Sequence, residues 1–121
     1  MNLLEKLRKR KIERGMLDFI EIYLQGYVSH YPRLVLSRFK NSHNGHVFSI
    51  NYKKDNGTQA ILFQAHYEDG ELYFIKSGDK RLSDKRKDLL EYDIKTLAKI
   101  YLQDIAKIKK TAFLNDKKRR L

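Results

Sequence analysis

Residues 46–77 read "HVFSINYKKDNGTQAILFQAHYEDGELYFIKS", a stretch dense in β-branched and aromatic residues and cut twice by turn dipeptides, Asn56-Gly57 and Asp69-Gly70. Both dipeptides suit the type I′ hairpin turn, whose two central positions need positive φ, so the stretch reads as three antiparallel strands over 46–53, 58–67 and 71–77. Just upstream, "RLVLSRF" (33–39) is set off by the turn signal "NSHNG" and supplies a fourth strand. Alternation places Phe48, Ile50 and Tyr52 on one face of the second strand, and Ile61, Phe63, Ala65 and Tyr67 on one face of the third. Those faces are expected to meet helices.

The flanks change period. From Ile12, apolar residues recur at Met16, Phe19, Ile20, Tyr23, Leu24 and Tyr27, the three- and four-residue steps of one helix face, which predicts a first helix over about residues 3–24. Gly15 divides a basic outer arm from an apolar inner half, and Gly26 is the expected stop ahead of Pro32. After Ser83, an expected N-cap, Leu90, Ile94, Leu97, Tyr101, Ile105, Ile108 and Ala112 repeat at close to 3.6 residues. The predicted helix is too long to lie wholly on a small sheet, so its far end is expected to pack on the first helix or on a second copy of the chain, as a homodimer. The fold class is therefore α+β: an N-terminal helix, a three- to four-stranded antiparallel meander and a long C-terminal helix. A single domain over 1–114 and a frayed basic tail over 115–121 complete it.

The 121 residues, 41% of them hydrophobic and 14 of them aromatic, suffice for one core. With no cysteine there is no disulfide framework and no thiolate metal site, and no apolar run approaches a membrane span. A cytoplasmic protein is expected, in the Lys-rich, Trp-free style of small bacterial or phage proteins. Neither cofactor nor metal is expected.

Charge points to the partner. Lys and Arg number 26 against 15 Asp and Glu, a net +11, which costs self-repulsion that a polyanion would relieve. Six cations crowd Lys76 to Lys87, where the dipole at the start of a helix already disfavours positive charge. The same place suits phosphate, because free backbone N–H groups and Lys80, Arg81, Lys85, Arg86 and Lys87 would hold the same oxygens. A second patch, Lys6, Arg8, Lys9, Arg10 and Lys11, lies on the first helix, and Lys53 and Lys54 lie at the end of the second strand. The cations are expected to converge on one continuous face. Charge reversal at Arg86 and Lys87 is expected to flatten the salt dependence of binding without lowering thermal stability.

The order helix, antiparallel strands, helix with a basic start is similar to that of double-stranded RNA-binding domains. The resemblance implies that "SHNGH" (42–46) occupies the groove-contacting loop, and that Lys80, Arg81, Lys85, Arg86 and Lys87 take the place of lysines straddling the phosphates. The family's alanine-rich "KKxAK" type of signature is absent here, and both helices are longer. A sheet-based mode is a further option: Tyr73 and Phe74 alternate in direction, so one of them should be exposed and free to stack on a base beside Lys53, Lys54 or Lys76.

Signals for catalysis are sparse. His43 and His46 lack the further ligands of a zinc site, and "EDGE" (68–71) lacks the converging carboxylates and alternately spaced lysine of a magnesium nuclease. The first expectation is thus a non-enzymatic nucleic-acid-binding protein, RNA or DNA. The alternatives are an interaction or inhibitor protein, phage- or mobile-element-encoded, docking on an acidic host protein or nucleoprotein complex, and a small ribonuclease using His43 or His46 as general base.

Overall fold

The structure, a computed structural model, describes residues 1–119. Its elements are α1 (Leu3–Val28), β1 (Leu34–Lys40), β2 (His46–Lys53), β3 (Gln59–Glu68), β4 (Glu71–Lys76) and α2 (Asp84–Arg119). The strands form one antiparallel sheet in the order β1-β2-β3-β4, so the chain has the expected α+β architecture. Among the described residues no helix is long and apolar enough to cross a membrane.

α1 starts on a reciprocal cap: the Asn2 side chain accepts the Glu5 backbone N–H at 2.8 Å, and Glu5 accepts the Asn2 N–H at 3.4 Å. No residue before Met16 is buried, whereas Met16, Leu17, Ile20, Leu24 and Val28 are. The second half of α1 is therefore a core helix, while the first half leaves the sheet and lies beside the far end of α2. Gly26 does not end the helix as expected; α1 runs through it to Val28. Glycine costs about 1 kcal/mol inside a helix, and burying Val28 one turn beyond Leu24 outweighs that. Ser29 closes the helix, its hydroxyl donating to the Gly26 carbonyl at 2.6 Å. α2 lays Leu90, Ile94 and Ala98 into the core beside Leu82. Farther along, Ile105, Ile108 and Ala112 are buried within the single chain, so the far end packs on α1. Residues 115–119, expected as frayed tail, continue α2; positions 120 and 121 of that tail lie outside the described residues.

The two hairpin turns differ. Asp69 and Gly70 both have positive φ (51° and 83°), as a two-residue type I′ turn requires. At the other dipeptide only Gly57 does (φ 85°); the loop is three residues, with Lys54 N–H donating to the Thr58 carbonyl at 2.8 Å and Gly57 N–H to the Lys54 carbonyl at 3.0 Å. The dipeptide marks the hairpin correctly, but the extra loop residue changes the turn type.

The register of β3 is where alternation fails. Ile50 pairs with Phe63 but Asn51 with Ile61, so Leu62 is an extra residue in β3, a β-bulge. Beyond a bulge every side chain changes face. Leu62 and Phe63 both enter the core at 0% exposure, and Ile61, expected there, stands outside at 51%. Ile61→Thr should therefore shift the urea midpoint by the equivalent of less than about 0.5 kcal/mol, the range of surface substitutions. Both helices cover one sheet face. The open face carries Tyr73, stacked on His66 with ring centroids 4.7 Å apart, while Phe74 packs inward against Phe63.

Candidate nucleic-acid interface

The start of α2 lies at one end of the fold. Ser83 caps it, its hydroxyl accepting the Arg86 N–H at 3.2 Å. Lys80 pairs with Asp84 at 2.6 Å, and Arg81 lies over the Tyr52 ring at 4.5 Å and beside Asp79 at 3.6 Å. Arg86 lies over Tyr31 at 5.2 Å, and that ring meets Tyr27 at 5.3 Å. Tyr52 is the penultimate residue of β2, which brings Lys53, its last, and Lys54 to the same end. Among the described residues Lys53, Lys54 and Lys85 have no ion-pair partner. Lys87 is the correction: it is 1% exposed, and its ammonium donates to the Ser77 carbonyl at 2.6 Å and the Asp79 carbonyl at 2.8 Å. A withdrawn ammonium cannot reach an external phosphate. Its role is to fasten the 77–79 loop to α2.

The arm on α1 lies at the opposite end. From Arg10 to Tyr27 the helix rises about 25 Å at 1.5 Å per residue, with Asp18 and Glu21 between, so the two expected patches do not form one continuous face. None of Lys6, Arg8, Lys9, Arg10, Lys11 and Arg14 has an ion-pair partner among the described residues. Lys9, Arg10 and Arg14 line a cleft of about 660 Å³ between α1 and the β1–β2 turn, shared with Arg38, Lys40, His43, Asn44 and His46. Arg8 lines a separate cleft toward α2, with Lys107; Lys6 and Lys11 are exposed outside both.

The cleft is built from both sides. Arg38 is held against α1 by Asp18 (3.1 Å) and Glu21 (2.9 Å) and lies over the Phe48 ring at 5.3 Å. The turn is rigidified by Asn41, whose side-chain oxygen accepts the N–H groups of His43 (2.9 Å) and Gly45 (2.8 Å). Asn44 takes φ 61°, a left-handed position that asparagine tolerates. A side chain at Gly45 would collide with the Asn41 carboxamide, 2.8 Å from the position of its Cβ. Three carboxylates share the lining, Glu13, Glu68 and Asp69, and the first accepts a hydrogen bond from the Tyr67 hydroxyl. Arg14, Arg38 and Lys40 were not singled out from sequence. Lys40 is separated from Arg14 by 26 positions, and only the β1–β2 pairing beside α1 unites them.

Burial, reinforced by Lys40 and Arg38 against a weaker opposing pull from Glu13, holds the His46 pKa below the ordinary imidazole value. Burial also lowers that of His66 on the open face. Both are lower folded than unfolded, so the unfolded chain takes up more protons as pH drops below about 6.5. Stability should be full above that value and decline toward pH 5, and His66→Gln should reduce the slope of urea-derived stability against pH in that window. Tyr67 is pushed well above the ordinary phenol value, by burial first and then by Glu13, so it remains a donor.

The described residues contain no group of three or more His, Asp or Glu side chains able to hold a metal ion. Asp69 serves the hairpin turn, and Glu71 lies opposite Glu68 across it. Compared with known protein families, curated proteins and solved structures, the chain finds no match.

Proposed function

We propose that this protein binds nucleic acid through its phosphates, with the cleft between α1 and the β1–β2 turn as the principal contact and the start of α2 as an auxiliary one. A single observation carries the reading: Lys9, Arg10, Arg14 and Lys40 face one concavity, and none is neutralised by an ion pair among the described residues. Concave walls focus the field of such charges and make them more effective than the same number spread over a convex surface. At the α2 end, by contrast, Lys80 and Arg81 have carboxylate partners, Arg86 lies over an aromatic ring and Lys87 is buried.

A titration of matched single- and double-stranded RNA and DNA probes across 50–500 mM salt tests the reading and ranks the ligands. Each phosphate contact contributes about 0.9 to the logarithmic salt slope on duplex DNA and about 0.7 on single strands. A slope of at least about 3 on one probe class is expected. A slope near zero on every probe, with a stoichiometric protein recovered from nuclease-treated lysate, would favour an acidic protein partner instead.

A further inference from the structure

Resting on that reading, we propose that the same cleft cleaves RNA without a metal ion, His46 accepting the proton of a ribose 2′-hydroxyl and His43 donating one to the departing 5′-oxygen. The four histidines differ in what occupies them. The His66 ring is stacked on Tyr73 and bonded to Gln64 at 2.9 Å, on the open face away from the cleft. His30 follows α1 at the other end. Only His43 and His46 line the basic cleft, and among the described residues neither ring has a hydrogen-bond partner.

Strand register sets the arrangement around His46. Lys40 pairs with His46 across β1 and β2, and His46 with Tyr67 across β2 and β3. Side chains directly opposite one another on a sheet face stand about 5 Å apart, so Lys40, His46 and Tyr67 form one row facing α1. Tyr67 donates its proton to Glu13, which keeps that carboxylate engaged instead of turned onto the imidazole. Burial opposes a positive charge on His46, and Lys40 and Arg38 act in the same sense. A neutral imidazole is the form a general base needs. His43 sits on the exposed turn that Asn41 fixes, able to reload from solvent.

The step balances within the cleft. The 2′-oxygen bonds to phosphorus as His46 takes its proton. The phosphorus–5′-oxygen bond breaks as protonated His43 gives up one. The products are a 2′,3′-cyclic phosphate and a 5′-hydroxyl end, and the two imidazoles re-equilibrate through water. Negative charge growing on the phosphoryl oxygens faces Arg10, Arg14 and Lys40, the groups placed to stabilise it. DNA lacks the nucleophile and is bound without being cut.

The test is one incubation of the purified 121-residue chain with labelled single-stranded RNA in EDTA, with an all-deoxy probe of the same sequence, scoring retention on the wild-type chain and cleavage together. RNA fragments ending in 2′,3′-cyclic phosphate, an intact deoxy probe, and losses of about 10²- to 10⁴-fold in His46→Gln and His43→Ala are expected. His43 lies in a solvent-exposed turn, so its variant keeps the test open if the His46 change disturbs folding, which a thermal melt reports. RNA retained but intact overturns the inference and leaves the binding reading standing; cleavage equal in every variant marks a contaminant and overturns it as well. Failure to retain either probe removes both.

Discussion

Replacing Lys87 with alanine should destabilise the fold by about 3–5 kcal/mol, because it removes two charge-assisted hydrogen bonds worth about 1.5–3 kcal/mol each together with a packed aliphatic stem. The ammonium donates to the carbonyls of Ser77 and Asp79 and so ties the segment between β4 and α2 to the helix. For a domain of this size the melting temperature should fall by more than about 10 °C. Lys87→Met separates the contributions: it keeps most of the stem and loses only the donor, so about 3 kcal/mol should go, the low end for two such bonds, and the rest of the alanine loss measures the stem. Lys85, two residues earlier and exposed, is the internal comparison, and Lys85→Ala should cost less than about 0.5 kcal/mol. Urea denaturation of the three variants checks the series, and equal effects at 85 and 87 would contradict the structure. The charge reversal expected from sequence to be harmless to stability is thus, at Lys87, among the most damaging substitutions in the chain.

Reversing three cleft charges together, Arg10→Glu, Arg14→Glu and Lys40→Glu, should abolish most nucleic-acid affinity. If each contacts one duplex phosphate, the logarithmic salt slope falls by about 2.7, which near 0.1 M salt corresponds to a loss of several hundred-fold. All three residues are exposed and lack ion-pair partners among the described residues, so the melting temperature should stay within about 2 °C, the scale of surface changes. Reversal of Lys54 and Lys85 at the other end should lower the slope by less than about 1. A greater loss from that second pair would move the principal contact to the start of α2. Filter binding at four salt concentrations suffices to tell these apart.

The candidate site was legible only in pieces. Lys9 and Arg10 stood out as members of a charge run, and His43 and His46 as a pair in a turn, but no spacing in the chain connects the two. Clusters on a charge map record neighbours in sequence, whereas a cleft is lined by neighbours in space. Lys76 makes the same point: it pairs with Asp88 at 2.9 Å and Glu91 at 3.4 Å, one turn apart on α2, so a charge counted toward a partner is neutralised internally.

Ile61 and Leu62 mark the corresponding boundary for the core. Strict alternation chooses Ile61, and nothing local announces an inserted residue, because a bulge is stabilised by what both strands pack against.

Element type and order followed from the sequence alone: hydrophobic period distinguishes helix from strand locally, and Asn-Gly and Asp-Gly force the chain to reverse through positive φ. Tertiary structure decided which lysine is buried, which face Ile61 takes, and that the basic arm of α1 meets the β1–β2 turn instead of the head of α2. Those outcomes depend on register and helix placement, set by interactions between residues tens of positions apart, and a charge acts through its distance from other charges, which only the folded chain defines.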